Sequence, residues 1–497
     1  MAEPDLRRTI AHVLHRWPSA GVAVVVIREG SPPQFLGHGV ADVVPGRPVD
    51  EQTVFRVGSL TKVLTAVAVM QLCEGGLVDL DGPADHYLRT FRLVPMRAGL
   101  PQPTVRHLLT HTAGIGYWRR RSDLLRHPGA GSGNVARSVV PPAEYYRDGL
   151  PVDLQPGTRW AYSNHGFAAL GQIVEDVTGE PLDGYLREHV FTPLGMTRTD
   201  LVLTERLRAQ LATGYVLRRG RLAAVRFRKV PTPGSGGAYS TAADMAGFVT
   251  AMLHGGANDH GRVLAQETVA SMLRAHFRPH PRTAGMGLGF ERHEERGRTI
   301  VGKTGIVSGF LSAIGMVPED GSGVVVLGNT GGLDGRGAPA PLSDALIRLL
   351  TGLPEDPLRD DVAPSPEVWP ALCGWYGPDA GPITNLFPQL AMGAGVEVAV
   401  RKSELVLTSL TPAPGMRTGM VLHPDDPADP RMYRVTYPEH GWNLGVVFTE
   451  ESPPRLLLDL MSFEKRPDWR NPRRWATGAA AAAAVAVAVR PDDRQHR

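Results

Sequence analysis

Cysteine is almost missing from this chain. Cys73 and Cys373 are the only two in 497 residues, far apart and without Cys-x-x-Cys spacing. A disulfide framework and a thiolate zinc site are thereby excluded as organising principles. Charge imbalance is lacking too, since 53 basic and 50 acidic side chains leave a formal net charge of +3. Nucleic-acid binding is therefore not expected. The local clusters Arg119-Arg120-Arg121 and Arg218 to Lys229 read as solvated loop or hairpin faces. Long apolar runs are also absent. Met1 to Trp17 carries charges throughout and has no apolar secretory core. The Ala/Val-rich segment from Ala476 to Val489 is about 14 residues long, short of the roughly 20 that a membrane span needs. A cytoplasmic protein without stable membrane insertion is the expectation. Lysine, finally, is scarce: only Lys62, Lys229, Lys303, Lys402 and Lys465 occur. Arginine stays protonated and cannot serve as a base, so a lysine at a chemically suggestive position is informative here.

What is present has the layout of two domains, the prior for a chain of this length. Asp5 to Trp17 places Leu6, Ile10, Val13 and Leu14 at helical spacing. Val22 to Ile27 is a continuous apolar run that suits a buried strand, and Phe35 to Val40 can pair with it. The middle of the chain is helical and loop-rich, with helical patterns at Val63–Glu74, Val105–Thr110, Phe167–Thr178 and Thr241–Leu253. Strand patterns return at Gly287–Arg292, Thr299–Lys303, Phe310–Val317 and Gly323–Leu327, before a helix at Leu342–Leu350. Strands at both ends with helices between predict an α+β domain, one sheet joining both ends around a helical insertion.

The first domain is placed at 1–352 and a Pro/Asp-rich linker at 353–370. From 371 to 467 the hydrophobic period falls to two, as in Val396, Val398 and Val400. That pattern predicts a small all-β sheet or barrel. Trp375, Tyr376 and Trp442 are assigned to its core. An Ala-rich tail occupies 468–497.

Ser59-Leu60-Thr61-Lys62 opens the helical pattern that follows Gly58. Residues three apart on a helix share a face, so the Ser hydroxyl and the Lys amine can meet. A serine hydroxyl is a poor nucleophile until a base takes its proton. Neutral lysine can be that base if burial, a second cation and the positive end of the helix lower its pKa. Ser462-Phe463-Glu464-Lys465 has the same spacing but follows a strand pattern, where residues three apart face opposite ways, and is set aside as chance.

Two further motifs follow in order, Tyr162-Ser163-Asn164 before a helix and Lys303-Thr304-Gly305 ending a short strand. Ser-x-x-Lys, Tyr-x-Asn and Lys-Thr-Gly in this order resemble the active-site motifs of class C β-lactamases and related D,D-peptidases and esterases. Arg106 to Gly114, Pro193-Leu194-Gly195-Met196 and Gly237 to Met245 resemble further signatures of the same serine β-lactamase/penicillin-binding-protein family. The resemblance implies a β-lactamase/transpeptidase-like domain, an antiparallel sheet flanked by helices. It implies Ser59 as acylated nucleophile and Lys62 as its base. Tyr162 would relay a proton to or from the leaving group and could also activate the deacylating water. Asn164 would bind the substrate amide or hold Lys62. Lys303 would lower the pKa values of Tyr162 and Lys62 and could pair with a substrate carboxylate, assisted by Thr304. Backbone N–H groups of Ser59 and Ile306, just after Gly305, would form the oxyanion hole.

The implied activity is hydrolysis of a small ester, amide or peptide, with no cofactor and no metal. The alternative is a non-catalytic protein that binds penicillin or peptidoglycan fragments. Lys303, where many esterase-like relatives carry His, tilts the expectation towards substrates with a carboxylate, such as D-amino-acid peptides or β-lactams. Bulky Ile306 argues against efficient lactam turnover. His107 and His111, four apart, are read as structural because no third ligand accompanies them. Gly234-Ser235-Gly236-Gly237 is read as a backbone turn beside the pocket.

Overall fold

The computed structural model describes residues 3–120, 140–332, 335–354, 358–378, 381, 384, 395–410, 414–437 and 442–472. Arg121 and the Ala-rich segment at 476–489 lie outside them. The chain divides into two compact units, Met1–Asp356 with Ala380–Leu386, and Pro357–Asp379 with Phe387–Arg497.

The first unit is built on an eight-stranded sheet. In chain order its strands are β1 (Gly21–Arg28), β2 (Ser31–Asp42), β3 (Arg47–Pro48), β4 (Gly285–Met286), β5 (Glu291–Glu295), β6 (Arg298–Val307), β7 (Phe310–Val317) and β8 (Ser322–Gly328). Across the sheet the order is β4-β5-β6-β7-β8-β1-β2-β3, and every neighbouring pair is antiparallel. The helices that matter most are α1 (Glu3–Arg16), α2 (Thr61–Glu74), α3 (Asn164–Thr178), α4 (Ala242–Leu253) and α5 (Pro339–Thr351).

The apolar run of β1 has a two-sided cause. Side chains alternate across a strand, so Val22, Val24 and Val26 join a core with Leu6 and Ile10 of α1 and Leu342 and Leu346 of α5. Ala23, Val25 and Ile27 face the opposite core, with Val63 and Val67 of α2, Phe167 and Ile173 of α3, and Phe248 of α4. Val324 and Val326 of β8 lie on the first side, Val325 and Leu327 on the second. The pairing of β1 with β8, from Val22 opposite Gly328 to Ile27 opposite Gly323, closes the two ends of the domain. This is the α+β arrangement expected from sequence.

Two strand expectations need correction. The pattern at Gly287–Arg292 suggests one strand, but the structure forms β4 before it and β5 from Glu291. Gly289 takes φ +87°, which breaks extended pairing there. The short strand expected at Thr299–Lys303 runs instead from Arg298 to Val307. Gly305 does not terminate it, since its Cα pairs with Ser312 on β7 and Val307 pairs with Phe310.

The second unit carries a nine-stranded antiparallel sheet with Met461–Arg466 in the middle, next to Gly374–Pro378. One edge is Met420–Val421 and the other His423–Pro424, separated by a single residue, so the sheet nearly closes on itself. Near-closure leaves little exposed strand edge. Tyr376, Val396, Val398, Leu405, Leu407, Val435, Val446, Leu456 and Phe463 fill the interior. Members of this interior that share a strand, such as Val396 and Val398 or Leu405 and Leu407, lie two residues apart, as the period predicts. Trp375 and Tyr376 are buried; the side chain of Trp442 lies outside the described residues. Ser462 and Lys465 fall on one strand, Met461–Arg466, which removes the second Ser-x-x-Lys copy from consideration. Among the described residues no helix is long and apolar enough to cross a membrane.

Candidate active site

Ser59 lies in a single 3-10 turn, Gly58–Leu60, that feeds directly into α2. The turn is held from inside. Thr61 Oγ1 donates to Gly58 O at 2.7 Å and accepts from Ala238 N at 3.0 Å. Its neighbours Gly58 and Leu60 are buried while Ser59 is partly exposed. Three residues on, the side chain of Lys62 runs back beneath it, fully buried.

Lys62 Nζ has three oxygen neighbours: Ser59 Oγ at 3.1 Å, Asn164 Oδ1 at 2.7 Å and the Ser235 carbonyl at 2.7 Å. Two of these can only accept. Three oxygens suit the three N–H groups of an ammonium, and equally the two N–H groups and lone pair of a neutral amine facing the Ser59 hydroxyl. Its pKa is held well below the usual lysine value, first by burial and then by the charge of Lys303, with Glu291 opposing. Burial disfavours the charged form of any amine, and a second cation adds to the effect.

The Tyr-x-Asn motif works through its middle residue. Ser163 is extended (φ −138°, ψ 121°) and caps α3, its hydroxyl accepting from Gly166 N at 3.2 Å. That hydroxyl also donates to Gly116 O at 2.9 Å. An extended residue between them puts Tyr162 and Asn164 on one side of the chain. Tyr162 OH lies 2.7 Å from Ser59 Oγ, and Asn164 reaches Lys62.

The Tyr162 phenol stands above its ordinary pKa, chiefly through burial, with the Ser59 hydrogen bond opposing and Glu291 adding to the rise. This corrects the expectation that Lys303 lowers it. The Lys303 ammonium lies 5.4 Å from the Tyr162 ring centre, but it is in contact with a carboxylate, Glu291 Oε1, at 2.5 Å. Tyr162 is therefore a protonated phenol at neutral pH.

Lys303 projects from β6 with its side chain buried. Gly305, two residues along, marks where β6 touches the Ser59 turn. A Cβ there would stand 2.2 Å from Val57 O and 2.3 Å from Ser312 Oγ, and one on Gly58 (φ +52°) would stand 2.9 Å from Ile306 N. The backbone N–H groups of Ser59 and Ile306 are thus brought to one narrow seam, which Ser312 Oγ braces by donating to Val57 O at 2.7 Å. Thr304 and Ile306 alternate with Lys303 and lie on the more exposed face of β6. Gly305→Ala is expected to push β6 off the turn and lower kcat/KM by about 100-fold, with about 1–3 kcal/mol lost from stability. Ester hydrolysis rates beside a thermal melt check this, and activity within twofold of wild type contradicts the seam.

Sequence reasoning missed the parts played by the Ser235 carbonyl and by Glu291. Ser235 contributes only its carbonyl, and a backbone acceptor leaves no side-chain signature. Glu291 sits on β5 with its Cα opposite Gly302, and only the sheet register brings it to Lys303. His111 is buried with φ +57°, its ring centre 4.5 Å from that of Tyr162. Its Nδ1 accepts from Ser163 N at 3.3 Å, and burial with the two lysine charges holds its pKa well below the usual value. His107 Nδ1 accepts from Thr104 N in the capping box of the helix Val105–Leu109. Both histidines are thus engaged structurally, as read from sequence.

Comparison with known proteins agrees with this geometry. Residues 6–348 match the Beta-lactamase family. Penicillin-binding protein 4 of Amycolatopsis lactamdurans is 30% identical over 394 residues, covering 76% of this chain and 96% of the relative. Esterase EstB of Burkholderia gladioli is 35% identical over 188 residues, which is 37% of this chain and 48% of that protein, about half its length. The octameric penicillin-binding protein homologue from Pyrococcus abyssi superposes with a TM-score of 0.62 at 24% identity, over 94% of this chain and 100% of that one; at that identity it supports the fold alone. The chain therefore belongs to the Beta-lactamase family and is a serine hydrolase of the β-lactamase/penicillin-binding-protein type.

Proposed function

We propose that this protein cleaves an ester or amide through an acyl-enzyme on Ser59. The observation that carries this reading is the fully buried Lys62 amine 3.1 Å from the partly exposed Ser59 hydroxyl. Ser59 gives its proton to Lys62 Nζ as Oγ attacks the substrate carbonyl carbon. The oxygen of that carbonyl becomes an oxyanion and takes hydrogen bonds from the Ser59 and Ile306 N–H groups. Collapse breaks the bond to the leaving alcohol or amine. Tyr162, placed beside the reacting atoms by its contact with Ser59, donates a proton to the departing atom, and the Lys62 ammonium, 5.0 Å from the Tyr162 ring centre, returns one to the phenolate. Water then attacks the acyl carbonyl and passes a proton to Lys62; the bond between the acyl carbon and Oγ breaks, Lys62 returns the proton to Ser59 Oγ, and the acid is released. Asn164 holds Lys62 in place, and Thr304, Gly305 and Ile306 form the substrate-facing edge of β6.

Intact-protein mass after exposure to a penicillin and to a short-chain p-nitrophenyl ester tests this directly. A serine-dependent acyl adduct or turnover with either reagent is the expected result. Non-covalent binding of penicillin with no adduct and no hydrolysis of either reagent overturns it in favour of a binding protein.

A further inference from the structure

Lys303 is the natural anchor for a substrate carboxylate at this site, but the chain already supplies one. Its ammonium donates to Glu291 Oε1 at 2.5 Å. The lysine side chain is 1% exposed and the glutamate 39% exposed. Glu291 is held there by the sheet, with its Cα opposite Gly302 on β6 and Met286 on β4. The contact is therefore set by register and not by a flexible loop.

We propose that Glu291 is a specificity-determining residue that disfavours substrates carrying a carboxylate near the scissile bond and directs the site to neutral esters and amides. The proposal rests on the acyl-enzyme reading given above. A carboxylate arriving at Lys303 meets a pair whose charge is already balanced. It must either displace Glu291 or lie beside a like charge, and in both cases its desolvation is not repaid. A neutral alcohol or amide group meets no such penalty. The charge of Glu291 is also felt deeper in the site, where it raises the pKa values of both Lys62 and Tyr162. Lys303 then retains one role that needs no substrate contact, since its charge still lowers the pKa of Lys62.

The test uses two matched esters on the full chain: an N-acylglycyl ester of D-lactate with its free carboxylate, and the same ester of D-lactamide. Wild type is expected to prefer the neutral lactamide ester by about tenfold or more in kcat/KM, with the difference in KM. Glu291→Gln keeps the size and a carbonyl acceptor for Lys303 but removes the charge. It is expected to shift the ratio towards the carboxylate by about tenfold or more, again through KM. A merely structural role for Glu291 lowers both rates together and leaves the ratio unmoved, and that result overturns the proposal. Should Glu291→Gln fail to fold, the wild-type ratio decides, because preference for the free carboxylate is equally fatal. Hydrolysis of neither ester by wild type, with no acyl adduct, removes the acyl-enzyme reading and this proposal with it. Hydrolysis of both with an unchanged ratio removes only this proposal.

Discussion

Ser59→Ala is expected to lower kcat/KM for a reactive ester by at least about 1,000-fold while leaving the thermal melt within a degree or two of wild type. The size of the loss follows from the isolation of the nucleophile. Tyr162 OH is the neighbouring hydroxyl at 2.7 Å, but its phenol is held protonated by burial, so it does not take over the attack. The second Ser-x-x-Lys pair cannot substitute either, because Ser462 and Lys465 belong to a strand of the other unit. What remains in the variant is the close approach of the Ser59 and Ile306 backbones, the oxyanion hole of the proposed mechanism, which survives loss of a side chain. That seam sets the residual rate above the uncatalysed one. The small stability change follows from geometry too. The turn is fastened by Thr61, Ala238 and the Ser312–Val57 bond, none of which uses Ser59 Oγ. A variant retaining more than a tenth of wild-type activity on purified protein is incompatible with Ser59 as the nucleophile.

Legibility from sequence varied with the range over which each feature is determined. α1 and the run of β1 were readable because local periodicity reports burial, one stripe for a helix at the surface and a continuous run for a strand covered on both faces. The alternation after residue 395 reported the second unit's sheet in the same way. Gly305 misled the strand reading, because a glycine inside a strand resembles a stop. In the structure it allows β6 to touch the Ser59 turn. At the site, motif spacing brought Ser59 and Lys62 together on local grounds. The contributions of Glu291 and the Ser235 carbonyl depend on sheet register and on the path of a short backbone turn, Pro233–Gly236. Neither is encoded within a few residues of the motifs. The role expected of Lys303 changed for the same reason, since the residue that neutralises it is twelve positions away in sequence and adjacent across the sheet.

The pH dependence of the reaction separates Lys62 as base from a Lys62 that only positions its neighbours. As a base it must be neutral, so kcat/KM rises with pH through the pKa of Lys62 and is flat above it. That pKa is depressed by burial first and by Lys303 second, against the opposing charge of Glu291. The acid limb is therefore expected well below the ordinary lysine value of about 10.4. Tyr162 must be protonated to serve the leaving group, so activity falls as pH rises through its pKa, which burial raises. The two shifts move apart, one down and one up, and the profile is a broad plateau and not a narrow bell. His111, a further ionisable neighbour, has its pKa held well below the usual value by burial and by both lysines, so its protonation is not expected to shape the acid limb. Lys62→Gln removes the base but keeps hydrogen-bonding capacity towards Asn164 and the Ser235 carbonyl. It is expected to lower kcat/KM by about 1,000-fold or more and to abolish the acid limb. Retention of that limb in the variant, or a wild-type limb near the ordinary lysine value, assigns the proton transfer to another group.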